Sequence, residues 1–431
     1  MKINLCILLA LLILFGTSCI HNRTDPDKNM KPVKHSGTEP VLYEWRGPER
    51  SGIYNEVNLL PEWPAGGPAE LWTVEQIGNG YGSPVTDGNH IYITGEIDSM
   101  AVLHCISMEG KPEWQLTLGK EWNKSHAGSR SAPTLFNGLI YAGTGVGDLY
   151  CIDKENVKVI WNRNFMEDFN GIMPLFGHSE APLVSGNQVF WTPGGNVHNV
   201  VALNRFSGDL VWSNKGFGER SGYNQPKLIG LTDKQLFVTF SAYHLLGFDA
   251  ASGELLWSHE QINIPVSERE PGKGDTHSNT VLYEEGNIYY AAGDGNGGVK
   301  LKLSEDGREI KQLWRNNSFD GYMGGIVKID DYLYGGVTAK PEMLSVHSET
   351  GKIKSTLKVG SGAVIAADDR LYYYNHRGEM KLIGYDEGEL WEISSFRISK
   401  GTGEHFSHPV IYNRVLYLRH GNVLMAFDIG L

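Results

Sequence analysis

The 431 residues carry a formal charge of −12 with no Lys/Arg cluster, which excludes the phosphate-neutralising surface of a nucleic-acid binder. An apolar share of 41% and an aromatic share of 11% supply a sizeable core and exclude a disordered chain. Four cysteines, Cys6, Cys19, Cys105 and Cys151, are too few for a disulfide scaffold.

Lys2 precedes an apolar run from Leu5 to Phe15, too short for a membrane-spanning helix and the right length for the core of a signal peptide. The run ends in Gly16-Thr17-Ser18-Cys19, which resembles a bacterial lipobox. Residues 1–18 are therefore expected to be removed and Cys19 lipidated; a plain secretory signal cut nearby is the other reading. Residues 19–40 are polar, with no apolar period, and read as a disordered tether. Residues 41–69 form an N-terminal extension expected to pack on the domain that follows.

From residue 70 onward one unit recurs. Copies beginning at Ser83, Ser131, Glu180 and Asn224 each hold a short apolar strand, a turn, an aromatic-centred strand, a strand ending near Asp or Asn, a second turn and a strand carrying Trp. That is an antiparallel four-stranded meander. Trp72, Trp114, Trp161, Trp212, Trp257, Trp314 and Trp391 mark the last strands, and the wide final gap holds one further copy in which Ser355-Thr356 replaces Trp. The last copy, from His408, stops after three strands; the missing fourth is available as Glu70–Val74. Eight units over residues 70–431 average about 45 residues each, the length of a propeller blade. Identical sheets that cannot bury both faces alone close into a ring. The expected fold is all-β: an eight-bladed β-propeller of four-stranded antiparallel blades, the last completed by an N-terminal strand. The recurrent Trp residues are expected to fill wedges between blades. Cys105 and Cys151 occupy equivalent places in neighbouring blades, about 10 Å apart, beyond disulfide reach, and are expected to be buried free thiols.

The unit, most complete in Phe248-Asp249-Ala250-Ala251-Ser252-Gly253-Glu254-Leu255-Leu256-Trp257, resembles the repeat of pyrroloquinoline quinone (PQQ)-like propellers. Trp45-Arg46-Gly47-Pro48 and Gly80-Tyr81-Gly82-Ser83-Pro84 resemble a secreted bacterial lipoprotein subgroup of that family. The resemblance implies the fold; its motif residues are turn and packing residues and leave function open. Quinoprotein dehydrogenases of this family generally use PQQ with a calcium ion, a catalytic Asp and, in many, a disulfide between adjacent cysteines. No two cysteines are adjacent here. Asp294-Gly295-Asn296-Gly297-Gly298 offers one carboxylate where hard cations gather several oxygens, and reads as a blade turn. Neither a metal nor a bound cofactor is expected, and PQQ with calcium is disfavoured.

Loops leading into the innermost strands gather at one mouth of a propeller channel. Here they carry Tyr81, Arg130, His178, Glu180, Arg220, Tyr223, His277, His405 and His408, expected to ring a ligand site. Three readings stay open: polar groups that bind loop backbone, a small-molecule pocket in which Arg and Tyr meet carboxylate or sugar oxygens, and a His-based metal or acid/base site. The expectation is a monomeric scaffold, lipid-anchored in the cell envelope at the outer membrane of a Gram-negative bacterium. Its partner is a small molecule such as a carbohydrate, or an envelope protein, as for the similar lipoprotein that assists outer-membrane β-barrel assembly. The alternative is an oxidoreductase, a quinoprotein-like dehydrogenase of a sugar or alcohol.

Overall fold

The computed structural model describes residues 42–431; the signal segment, Cys19 and the tether lie outside the described residues. Eight antiparallel sheets form a ring, seven of four strands and one of five. Blade 1 runs from Val85–Thr86 to Pro112–Lys120 and blade 2 from Thr134–Phe136 to Lys158–Asn164. Blade 3 runs from Leu183–Ser185 to Leu210–Asn214 and blade 4 from Lys227–Gly230 to Leu255–Glu260. Blades 5, 6 and 7 open on Leu282–Glu284, Ile326–Ile329 and Gly362–Ala367. Blade 8 holds Val410–Tyr412, Val415–His420 and Val423–Asp428, and its outer strand is Ala69–Val74. Trp72 stands opposite Ala426, so the first strand of the ring completes the last sheet.

Middle strands are buried on both faces and outer strands are half exposed, so the core is a series of apolar layers between blades. The Trp residues join those layers in a repeated way. The indole N–H of Trp72 donates to Met108 O (3.0 Å), that of Trp161 to Arg205 O (3.0 Å), that of Trp212 to Ala250 O (2.9 Å) and that of Trp314 to Ser348 O (2.9 Å). Each acceptor belongs to a turn of the following blade, and each ring lies over a glycine of that turn, Gly110, Gly208, Gly253 or Gly351. The expected wedge role of these four residues is what the packing displays. Trp391 departs from it, being 46% exposed. Cys105 and Cys151 are buried free thiols.

Residues 42–63 thread the ring. Leu42–Tyr43 adds a fifth strand to blade 2 beside Thr134–Phe136. The chain then crosses the channel, where two buried guanidinium groups bridge blades through main-chain oxygens. Arg46 donates to Ile326 O (3.0 Å) and Val364 O (3.1 Å) of blades 6 and 7. Arg50 donates to Pro182 O (2.9 Å) and Pro226 O (3.0 Å), leading into blades 3 and 4, and pairs with Glu44 at 2.6 Å. Ile53 bridges to Ala366 of blade 7. The channel is thereby plugged beneath the mouth.

Candidate functional site

Above the plug lies a cavity of about 400 Å³. Its walls come from the loops leading into seven of the eight blades, because each innermost strand begins at the channel axis. Trp45 lines it from the plug, edge-on to His408 with ring centroids 5.0 Å apart. Tyr81 and Phe406 face each other at 5.5 Å on one wall, and Phe176 and Tyr223 at 5.9 Å on another; Tyr322 adds a sixth aromatic ring. Backbone bonds set these rings. The Phe176 N–H donates to the Tyr223 hydroxyl (3.1 Å), and the Ser179 hydroxyl donates to Tyr223 O (2.8 Å).

Polar groups sit between the rings. Glu404 accepts from the Tyr81 hydroxyl (2.6 Å) and lies 2.7 Å from His126 Nδ1, joining the loops before blades 8, 1 and 2. Burial would raise the Glu404 carboxyl, but the bonds from Tyr81 and His126 outweigh it and hold it below the ordinary carboxylate range. The Arg130 guanidinium lies over the rings of Tyr81 and Trp122 at 5.9 and 5.8 Å and donates to the carbonyl of His126. His408 is kept neutral: burial first, then the Arg46 charge, pushes it far below the usual histidine value. Among the described residues Asp294 is the one carboxylate in the lining, and burial raises its pKa.

Of the residues singled out from the sequence, Tyr81, Arg130, Tyr223 and His408 line this cavity. The others point elsewhere. His178 is fully buried against Phe165 and Trp191, and Glu180 is fully buried in blade 3. Arg220 is paired with Asp275 (2.5 Å) and also bonds the Tyr243 hydroxyl (3.0 Å). The two ring nitrogens of His277 face Ala292 O and Ala242 O at 2.9 and 3.0 Å, tying blade 5 to blade 4. His405 meets the Tyr374 hydroxyl at 2.5 Å and stacks on His420 at 3.7 Å. The reason is alternation: in an extended segment successive side chains face opposite ways, so Ser179 lines the cavity while His178 and Glu180 turn into the blade. Sequence reasoning missed Trp45, His126, Phe176, Glu404 and Phe406 as site residues. His126 and Glu404 lie in loops whose place at the mouth is readable, but only ring closure brings them together.

The loop whose sequence comes nearest to a calcium loop is not built as a cation site. The Asp294–Gly298 loop folds around Asp320, whose carboxylate accepts from the Gly295 and Gly297 N–H groups at 2.9 and 2.7 Å. The loop presents amide hydrogens to that carboxylate, the reverse of a cation site. Among the described residues no three His, Cys, Asp or Glu side chains gather to hold a metal ion.

The profile of the family described as outer membrane protein assembly factor BamB matches residues 99–357, well over half of the chain. The chain belongs to this family. The BamB structure from Moraxella catarrhalis covers 84% of this chain and 99% of its own, with a TM-score of 0.59 at 13% identity. Curated relatives of the BamB-family chain include the quinoprotein ethanol dehydrogenase of Pseudomonas aeruginosa, 22% identical over 57% of this chain and 31% of its own. The quinoprotein alcohol dehydrogenase PedH of Pseudomonas putida is 22% identical over 69% and 46%. The chain thus spans less than half the length of either dehydrogenase. Tetrathionate hydrolase of Acidithiobacillus ferrooxidans is also similar, 22% identical over 70% of this chain and 64% of its own. No helix among the described residues is long and apolar enough to cross a membrane.

Proposed function

We propose that this BamB-family chain is a cell-envelope propeller, anchored through a lipid on Cys19, whose mouth binds a small polar ligand of the carbohydrate class without PQQ. The observation that carries this reading is the cavity: six aromatic rings from separate loops, interleaved with Arg130, His126, Gln225 and Ser179, around about 400 Å³. Sugars present apolar C–H faces for aromatic rings and hydroxyl groups for the polar atoms between them. The test is titration of the purified chain with a panel of mono- and disaccharides, followed by tryptophan fluorescence and calorimetry. Saturable binding that is lost at least tenfold in Tyr223→Ala is the expected result. A panel without a binder at millimolar concentration overturns the carbohydrate reading.

A second reading, protein docking on the same face, is favoured by a separate observation. Met166, Ile172, Leu175, Val197, Phe217, Ile262 and Val266 are exposed apolar side chains on mouth-side loops around blades 3 and 4. Large apolar side chains exposed on the loops of neighbouring blades are what a protein partner would cover. The oxidoreductase alternative is favoured by the dehydrogenase relatives alone. Dye reduction on adding PQQ and calcium to the purified chain, with an alcohol or sugar present, would establish it.

A further inference from the structure

The His126–Glu404 pair is poor as a stabilising device. Both side chains are about half exposed, 46% and 41%, and exposed ion pairs contribute little. Yet its placement is closely controlled. His126 holds a left-handed backbone conformation (φ 51°), unfavourable for most residues with a side chain. Arg130 grips its carbonyl oxygen, and its ring stands between Phe176 and Phe406 at 6.0 and 6.1 Å. Glu404 takes Nδ1, and the Tyr81 hydroxyl fixes the carboxylate in turn. That leaves Nε2 without a hydrogen-bond partner among the described residues, with the ring on the cavity lining. A carboxylate that orients Nδ1 and a free Nε2 is the arrangement of a general base.

We infer that His126 is a catalytic general base at the mouth, oriented by Glu404 as a positioning residue, and that the ligand it acts on carries an acyl ester. This rests on the reading that the mouth holds a ligand. The bond class follows from what surrounds the pair. Cleaving a glycosidic bond calls for two carboxyl groups free to flank it; among the described residues Asp294 lines the cavity, and the Glu404 carboxylate beside it is already engaged by Tyr81 and His126. Transferring a phosphoryl group calls for clustered cations or a metal-binding carboxylate set, and Arg130 is the one cationic side chain besides histidine among the described lining residues. An acyl carbon is already electrophilic and needs a water made nucleophilic. In the step, Nε2 takes a proton as water oxygen bonds the acyl carbon. The tetrahedral adduct then breaks its bond to the alkoxide, which takes the proton back from the imidazolium. Ester and water yield acid and alcohol, with His126 regenerated.

The test measures hydrolysis of 4-nitrophenyl acetate and of glucose pentaacetate by the full chain and by His126→Gln, Glu404→Gln and the control His90→Gln, with thermal melts of each. His90 opens the blade 1 strand His90–Ile97 and is not among the cavity-lining residues. The expected result is a rate above buffer that His90→Gln keeps, His126→Gln lowers at least about tenfold, and Glu404→Gln lowers less while moving the midpoint of the pH–rate profile. A merely structural Glu404 would leave that midpoint in place. Should His126→Gln not fold, carbethoxylation of the parent followed by peptide mass spectrometry replaces it, with inactivation tracking modification of His126. A parent rate no greater than buffer, a folded His126→Gln as fast as the parent, or inactivation tracking another histidine overturns the inference. Sugar binding without hydrolysis would remove the acid–base assignment alone; His126-dependent hydrolysis without sugar binding would remove the carbohydrate reading alone.

Discussion

His178 and Glu180 lie two residues apart on the inward face of one extended segment, and burial drives their proton equilibria in opposite directions. Burial pushes the Glu180 carboxyl up to about 8, with Thr192 and Arg50 offsetting it only in part, and pushes His178 down to about 4. A raised carboxyl contributes stability that is complete below its unfolded value of 4.5 and is lost as pH rises toward 8. A depressed histidine contributes stability that is complete above 6.5 and is lost as pH falls toward 4. Thermal melts from pH 5 to pH 8 are therefore expected to decline less steeply in Glu180→Gln than in the parent, a difference of a few kcal/mol at the alkaline end. Equal slopes would mean the carboxyl is relieved by something other than protonation. Both residues are visible in the sequence as polar members of rim loops. Their direction is not, because a one-residue change of register exchanges cavity and core, and no local pattern fixes the register of a three-residue strand.

Strands, turns and blade count are legible because each unit punctuates itself with Asp, Asn, Gly and Trp. The same residues prove to be joints: Trp212 donates to Ala250 O and lies so close to Gly253 that a Cβ there would stand 2.5 Å from the indole. Gly253 also sits at φ 75°, where a side chain is strained. Gly253→Ala is expected to lose about 1–3 kcal/mol in denaturant melts, through ring displacement and backbone strain together. Gly230, exposed and with nothing within 4 Å of where a methyl group would stand, is the control, and Gly230→Ala should change stability little. Elements without a repeat signature are not legible. The added strand Leu42–Tyr43 and the short helix Phe165–Phe169 belong to no unit, and the helix is set by Asn164, whose side chain accepts from the Met166 and Glu167 N–H groups.

At the scale of the ring, closure is secured by more than the shared sheet of blade 8. Arg419, fully buried on that blade, donates to Gly78 O (3.0 Å), Gly82 O (2.9 Å) and Thr94 O (2.7 Å), main-chain oxygens in and before blade 1. Arg46 and Arg50 do the same across the channel, with partners more than a hundred residues away in sequence. The shared sheet can be inferred because a three-stranded remnant and a spare strand are both in view. The arginine ties cannot, since main-chain acceptors leave no residue signature. Burial pushes the Arg419 pKa down to about 9, which still leaves a cation at neutral pH, held by carbonyl dipoles in place of a carboxylate. Replacing it with Met removes the charge but takes the donor from four buried carbonyls, those three and Gly421 O (2.9 Å), each costing roughly 1–3 kcal/mol when unmet. Arg419→Met is thus expected to lower the melting temperature and to open the seam first. Hydrogen exchange should rise in residues 69–97 and 410–428 while blades 3 to 5 stay protected. Uniform loss of protection around all eight blades would mean that the ring opens as one unit and has no weakest seam.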